Sequence, residues 1–164
     1  MNSILRQFKG QDHGPLVQFI KYGIAGAVAT LIHVILFYFL ALQVMPALNR
    51  KDVLAGLLHL RVVPVSDAVR ARNSMIDNVA AFMFSNLTAY LINIAWVFKP
   101  GRHHPVLEIG YFYLVSGAST LIGSVLMGWL IHHYGTTTTL AFGANVLVSL
   151  MINFVLRKYL IFKG

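Results

Sequence analysis

Long apolar runs separated by short polar segments dominate the hydropathy pattern of the chain. Four runs cover residues 17–45, 75–98, 109–131 and 138–162. Each contains more than twenty residues and little charge, which matches the ~20 residues that an α-helix needs to cross a bilayer. Transmembrane β-strands would be about half as long and would alternate in polarity, and no such alternation is present. The pattern therefore predicts an all-α membrane protein with four transmembrane helices.

The composition agrees with this prediction. Hydrophobic residues make up 57% of the chain and charged residues only 11%, against about 25% charged residues in soluble domains. The first run is longer than the apolar core of a signal peptide and no small-residue cleavage site follows it, so we expect it to remain in the mature protein. The chain has no cysteine, which excludes disulfides and thiolate metal sites.

Basic residues give the chain a formal net charge of +8 and indicate its topology. Eight lie at the termini and between the second and third runs: Arg6, Lys9, Lys21, Lys99, Arg102, Arg157, Lys158 and Lys163. Five lie in the loop 46–74: Arg50, Lys51, Arg61, Arg70 and Arg72. The positive-inside rule therefore predicts cytoplasmic termini and an extracytoplasmic loop 46–74. Because this distribution accounts for the charge, we expect no nucleic-acid partner.

The loop 46–74 has two interpretations. Four of its residues recur at helical spacing: Leu54, Leu57, Leu58 and Arg61. This spacing favours a short helix that lies on the membrane surface among membrane lipids. The breakers Pro46 and Pro64 favour an extended loop instead.

The two halves of the chain are weakly similar, which predicts two helical hairpins with the same orientation in the membrane. The first and third runs share a short segment: residues 22–29 read Tyr-Gly-Ile-Ala-Gly-Ala-Val-Ala, and residues 113–120 read Tyr-Leu-Val-Ser-Gly-Ala-Ser-Thr. In the same alignment, residues 93–98 of the second run fall in register with residues 157–162 of the fourth. Small residues in the first and third runs predict faces where helices approach closely. These are Gly23, Gly26, Ala27, Thr30, Gly117, Ser119, Thr120 and Gly123.

Three motifs resemble those of the GtrA-like family. Residues 19–26, Phe-Ile-Lys-Tyr-Gly-Ile-Ala-Gly, are similar to the Phe-x-Arg/Lys-Phe-x-x-x-Gly start of that family's first helix. Residues 93–98, Asn-Ile-Ala-Trp-Val-Phe, resemble the Asn-x-x-Trp-x-Phe end of its second helix. Residues 153–162, Asn-Phe-Val-Leu-Arg-Lys-Tyr-Leu-Ile-Phe, resemble the Asn-Phe-x-x-x-Arg/Lys-aromatic-x-x-Phe end of its fourth. The sequence departs from the family at Ile94 and Ala95, where a basic residue is common.

The resemblance implies a multi-pass protein of the bacterial inner (cytoplasmic) membrane. It implies that the protein moves a polyprenyl-phosphate-linked sugar from the cytoplasmic to the outer leaflet, for modification of envelope polysaccharides or glycolipids. A non-transporting scaffold that holds a membrane glycosyltransferase is the alternative. A transporter like those of the small multidrug resistance family is the third choice.

Other functions find little support in the residues. A nucleotide-sugar transferase needs an acidic metal-binding motif and a soluble domain, whereas this chain has five scattered acidic residues, so we expect neither an enzyme nor a cofactor. The histidine pairs at residues 103–104 and 132–133 lack carboxylate neighbours, and we expect no metal site. A small multidrug resistance transporter needs a carboxylate in its first helix. Here the first run offers only His33, and Asp77 and Glu108 lie near the starts of later runs.

The ends of the runs predict a phosphate-binding site at the cytoplasmic side. The predicted substrate-binding residues are Lys21, Asn93, Trp96, Asn153, Arg157 and Lys158. An arginine fork binds two phosphate oxygens, lysines supply point charge, and asparagines bond sugar hydroxyls. The alternative is that the basic side chains extend to the lipid headgroups and only fix the topology.

His33, Asn86 and Tyr22 are weaker candidates for the same function. A histidine bonded to a neighbouring helix is the simpler interpretation of His33, and interhelical hydrogen bonds are the simpler interpretation of Asn86 and Asn145. Four helices of this size enclose little volume, so we predict a homodimer as the working unit.

Overall fold

A computed structural model describes residues 10, 14–97 and 104–156 of the 164-residue chain. Five α-helices lie in these ranges: α1 (Pro15–Gln43), α2 (Val53–Leu57), α3 (Asp67–Ile92), α4 (Pro105–Tyr134) and α5 (Thr138–Leu156). A π-helical turn, Asn93–Val97, continues α3. The described ranges contain no strand, so the predicted all-α class is confirmed.

Local sequence signals set the ends of the long helices. Pro15 and Pro105 occupy the first positions of α1 and α4, where a missing N–H costs no helical hydrogen bond. The Ser66 hydroxyl accepts a hydrogen bond from the Val69 N–H and caps α3. Gly135 ends α4 in the left-handed region, with φ of 59°.

Three helical segments are long and apolar enough to cross a membrane: Leu16–Gln43, Asp67–Val97 and Phe112–Tyr134. Helix α5 is apolar too, but the stretch Thr138–Ser149 that qualifies within it is shorter. The predicted fourth run continues to residue 162, beyond the part of the chain that the structure describes. Three spans are therefore supported, and the fourth crossing stays a prediction.

Helix α3 begins at Asp67, well before the predicted start of the second run at residue 75. Its first turns contain buried polar residues that the hydropathy pattern assigned to the loop, among them Arg70 and Asn73. Asp77 consequently lies in the middle of α3, only 1% exposed. The expectation that Asp77 lies near the start of its helix is therefore wrong.

The loop between α1 and α3 combines features of both interpretations. Helix α2 has only five residues, and the Asp52 carboxylate caps it by accepting a hydrogen bond from the Leu54 N–H at 3.1 Å. His59, with φ of 50°, follows its end, and residues 60–66 are not helical. The predicted helix over residues 51–61 is thus shortened to one turn and a half, because the backbone reverses at His59.

The four long helices form an antiparallel bundle in which α3 packs between α1 and α4, and α5 packs on α4. Helices α1 and α5 contact each other near one end of the bundle, where the rings of Phe37 and Phe142 stack at 4.2 Å between centroids. Met127 and Ile131 of α4 complete the buried core there. We call this the Arg70 end, and the opposite end, where α1 begins and α3 finishes, the Lys21 end.

The predicted small-residue faces have different outcomes. On α4, Gly123 is buried, and a Cβ atom at this position would overlap the side chain of Asn145 on α5. This face is therefore a helix contact, as predicted. On α1, Gly23 and Gly26 are exposed, and no atom of the described chain lies within 4 Å of a Cβ built on either glycine. Among the described residues, the predicted helix contact at Gly23 and Gly26 is not found.

The close approach at Gly123 leads to a testable expectation. Gly123→Ala should lower the free energy of unfolding by about 1–2 kcal/mol, because the new methyl group displaces the hydrogen-bonded Asn145 amide. Gly117→Ala on the same helix is the control, since its nearest neighbour, a Phe82 ring atom, lies at 3.9 Å. Denaturation in mixed detergent micelles measures both variants. Equal stability of the two would contradict the close contact.

Candidate functional site

The buried guanidinium of Arg70 closes one end of the bundle. Arg70 is 0% exposed and donates hydrogen bonds to the Thr136 carbonyl at 2.6 Å and the Thr138 hydroxyl at 3.3 Å. It also pairs with Asp67, one turn earlier on α3, at 2.8 Å. These bonds tie the start of α3 to the turn between α4 and α5.

Asp52 adds a second connection at the same end. Its carboxylate accepts hydrogen bonds from the Thr139 N–H at 2.8 Å and the Thr139 hydroxyl at 2.5 Å. The Tyr38 hydroxyl of α1 donates to the same Thr139 hydroxyl at 2.9 Å, and the Thr138 hydroxyl donates to the Ala47 carbonyl. The loop, α1 and α5 are thus joined by polar bonds, and the Arg70 end is closed.

At the opposite end, the structure brings together two of the predicted site residues. The Lys21 ammonium is buried and donates hydrogen bonds to the Gly10 carbonyl at 2.6 Å and the Trp96 carbonyl at 3.3 Å. It also lies 5.1 Å from the centre of the Trp96 ring, within the range of a cation–π contact. Lys21 is therefore a buried cation that joins α1 to the end of α3.

Asn93 and Tyr22 lie beside this pair. Asn93 is buried and opens the π-helical turn that carries Trp96, and its Oδ1 atom has no hydrogen-bond partner among the described residues. Single π-helical turns inside helices often occur at functional sites. Tyr22 follows Lys21 on α1 and is half-buried.

The remaining predicted residues belong to the C-terminal segment. Asn153 lies on α5, near the Lys21 end of the antiparallel bundle. Its side chain, together with Arg157 and Lys158, lies outside the described part of the structure. Their role in phosphate binding stays a prediction.

A second polar group lies deeper in the bundle, around His33. The His33 Nε2–H donates to the Asn78 Oδ1 atom at 2.9 Å, and His33 Nδ1 lies 3.1 Å from the Ser85 hydroxyl. The predicted bond from His33 to a neighbouring helix is therefore present. Because Asn78 Nδ2 donates to Ser124 at 2.7 Å, the Asn78 oxygen faces the imidazole as an acceptor and fixes the proton on Nε2.

Asn78 joins all four long helices. Its Oδ1 atom also accepts a hydrogen bond from Asn145 Nδ2 on α5 at 3.1 Å, in addition to its bonds with His33 on α1 and Ser124 on α4. Asn145 thus forms an interhelical hydrogen bond, as predicted. The sequence pattern left Asn78, Ser85 and Ser124 unassigned, although the spacing of Asn78 and Ser85 places both on one face of α3.

These groups line a cavity of about 180 Å³ between α1, α3, α4 and α5. At about 30 Å³ per water, it has room for several waters or a small polar group. Asn86 also lines the cavity and is only 7% exposed, yet its Nδ2 atom has no partner in the described chain. The sequence analysis expected Asn86 to form an interhelical hydrogen bond, but its Nδ2 atom forms none within the described chain. Because buried donors almost always have a hydrogen-bond partner, this unpaired Nδ2 atom indicates a position where a ligand could bind.

The cavity lining reaches the exposed surface of the described bundle at α1. Thr30 at its edge is exposed, and Gly26, one turn closer to the Lys21 end, has no neighbour within 4 Å of a Cβ position in the described chain. The outer surfaces of α1 and α5 are apolar and exposed, for example at Leu31 and Leu147. Among the described residues, the polar cavity is therefore uncovered at this face of α1.

The described residues contain no cluster of three or more histidine or acidic side chains that would hold a metal ion. Their chemistry is that of neutral amides and hydroxyls in the cavity, and of a buried cation beside an indole ring at the Lys21 end. This arrangement is suited to binding a polar group.

Comparison with known proteins identifies the family. A family model described as GtrA/DPMS, transmembrane domain, matches residues 21–162. Searches of curated proteins and of solved structures give no significant match. The matched segment includes Lys21, Trp96 and all the residues that line the cavity. Since it also covers well over half of the chain, the protein belongs to the GtrA/DPMS transmembrane-domain family.

Proposed function

We propose that the protein moves a polyprenyl-phosphate-linked sugar from the cytoplasmic to the outer leaflet of the inner membrane. The family match supports a role in handling a glycosyl lipid. The observation that carries the proposal is the polar cavity around His33, which polar bonds close at the Arg70 end and whose lining reaches the exposed face of α1 at Thr30. This shape is the one required of a state that accepts a headgroup from one side.

The physical argument is the cost of moving a headgroup through hydrocarbon. Sugar hydroxyls lose their hydrogen bonds to water there, at several kcal/mol for each unsatisfied group. Amides and hydroxyls inside the bundle, such as those of Asn86 and Ser149, replace those bonds. The isoprenoid tail stays in the lipid, against the exposed apolar surfaces of α1 and α5.

Lys21 is proposed to receive the phosphate. Its bonds to the Gly10 and Trp96 carbonyls hold the ammonium at the end of the bundle where the positive-inside rule predicts the cytoplasm. A hydrogen bond from a cation to phosphate is roughly twice as strong as one between neutral groups. Arg157 and Lys158 are proposed to complete this site from the C-terminal segment.

A scaffold that holds a membrane glycosyltransferase is the second candidate. The uncovered face of α1 at Gly23 and Gly26 favours it, since exposed small residues let another transmembrane helix approach closely. The same face suits a second copy of this chain, and the homodimer stays a prediction. We propose no catalytic role in either case.

The test is leaflet exchange of a fluorescent polyprenyl-phospho-hexose in proteoliposomes. Lys21→Met should slow exchange at least about tenfold, since it removes the charge-assisted hydrogen bonds to phosphate. Lys51→Met is the matched control, because Lys51 is exposed in the loop between α1 and α3, and it should stay within about twofold of the wild type.

Exchange no faster than in empty liposomes, with retained binding of the lipid, would favour the scaffold. Fast exchange that both variants preserve would exclude Lys21 from the phosphate site while leaving transport in place. Circular dichroism and gel filtration of each variant show whether the fold is intact.

A further inference from the structure

We infer that the cavity around His33 binds the sugar ring itself, a neutral ligand rich in hydroxyl groups, and that it is separate from the phosphate site at Lys21. This inference rests on the proposed function, since it assigns one part of the same lipid to a second position in the bundle.

The lining of the cavity has the chemistry of carbohydrate binding. Neutral amides and hydroxyls supply its polar atoms: Asn78, Asn86, Asn145, Ser85, Thr120 and Ser149. A sugar hydroxyl donates one hydrogen bond and accepts others, and side chains of these types provide both partners. Phe82 and Phe142 add apolar ring surfaces on which the C–H groups of a sugar can rest. No Lys, Arg, Asp or Glu lines the cavity among the described residues, so it offers nothing that would select a phosphate.

His33 does not alter this conclusion. Asn78 and Ser85 engage its two ring nitrogens, and its ring stacks on Phe142 at 5.8 Å. Both ring nitrogens therefore already lie within hydrogen-bond distance of a protein side chain. His33 therefore forms part of the cavity wall, and other side chains supply the hydrogen bonds to the ligand.

Asn86 supplies the observation that points to a ligand. Its side chain is more than nine-tenths buried, it lines the cavity, and its Nδ2 atom has no hydrogen-bond partner among the described residues. Buried polar atoms in proteins almost always have a partner. A sugar hydroxyl in the cavity would accept this hydrogen bond.

The separation of the two sites follows from helix geometry. Lys21 and His33 lie on the same helix, twelve residues apart, so their positions differ by about 18 Å along its axis. On this helix the cavity lining begins nearer, at Ala29, eight residues and about 12 Å from Lys21. The cavity and the Lys21 site are therefore distinct positions along one path.

The test compares two probes, a polyprenyl-phospho-glucose and the same polyprenyl phosphate without sugar, by measuring the Kd of each for the full chain in detergent micelles. The wild type should bind the glucose lipid about tenfold more tightly, as expected for the hydrogen bonds that the sugar adds. Asn86→Leu should reduce this preference to within about twofold, with the Kd for the sugar-free lipid unchanged. That unchanged Kd also shows that the variant is folded.

Thr88→Val is the matched control, because Thr88 lies on the same helix two residues away and does not line the cavity. It should keep the tenfold preference. Thr120→Val is a second variant inside the cavity, of the same shape without the hydroxyl, and should lower the preference about threefold. Equal binding of both probes by the wild type, or equal weakening of both by Asn86→Leu, would overturn the sugar site.

These outcomes are distinct from those of the transport test. A preference that Asn86→Leu removes, in a protein that exchanges no lipid between leaflets, would keep the sugar site and reject transport. Fast exchange without a preference for the glucose lipid would keep transport and reject the sugar site.

Discussion

Arg70→Met is expected to lower the free energy of unfolding by about 3 kcal/mol. Methionine fills most of the space of the buried arginine stem, so the loss comes from hydrogen bonds. The Thr136 carbonyl and the Thr138 hydroxyl both lose a charged donor, and each such bond is worth about 1.5–3 kcal/mol. The pair with Asp67 adds little, because the Asp67 side chain is 54% exposed. Reversible denaturation in mixed micelles measures the change.

Arg72→Met provides the control for this experiment. Arg72 lies two residues further along α3 and is exposed, so its replacement should change the stability by less than about 0.5 kcal/mol. A similar loss in both variants would show that the Arg70 network does not hold the α4–α5 turn against α3. A loss confined to Arg70→Met would confirm that this end of the bundle is closed by its guanidinium.

Arg70 also illustrates what the hydropathy pattern can and cannot predict. Apolar runs located the long helices, because a helix that faces lipid must be apolar around most of its surface. The first turns of α3 face other helices, where Arg70, Asn73 and Asp77 are buried by protein. A window of mean hydropathy cannot distinguish such residues from loop residues, so the predicted start of this helix was too late. The five basic residues of the loop were likewise counted as topology signals, although Arg70 is a structural residue.

The two polar sites differ in how far the sequence could predict them. The contact between Lys21 and Trp96 follows from connectivity alone, because in a hairpin the start of one helix meets the end of the next. The network around His33 depends on how each helix is rotated about its axis. The sequence shows that Asn78 and Asn145 are polar residues inside apolar runs, but the rotation that brings their amides together is set by packing, such as the close approach at Gly123.

Asn78→Leu is expected to lower the free energy of unfolding by about 2–3 kcal/mol. Asn78 is fully buried, and its amide makes hydrogen bonds to His33, Ser124 and Asn145 on three other helices. Interhelical hydrogen bonds in membranes average about 0.6 kcal/mol and reach about 1.7 kcal/mol. Leucine removes three of them and leaves three buried partners facing an apolar side chain, which adds to the loss.

Asn86→Leu is the comparison that separates this structural role from a binding role. Asn86 lies on the same helix and lines the same cavity, but its Nδ2 atom has no partner to lose in the described chain. Its replacement should cost less than about 0.5 kcal/mol of stability. Equal destabilisation by the two variants would mean that Asn86, like Asn78, holds helices together.

A double-mutant cycle of Asn78→Leu with Asn145→Leu tests whether the network acts as a unit. The two side chains share the bond from Asn145 Nδ2 to Asn78 Oδ1, so the double variant should lose less stability than the sum of the single variants, by about 0.5–1.5 kcal/mol. Strict additivity would show that the two amides contribute independently. A coupling of this size would establish that the hydrogen bond between the two amides links α3 and α5 at the cavity wall.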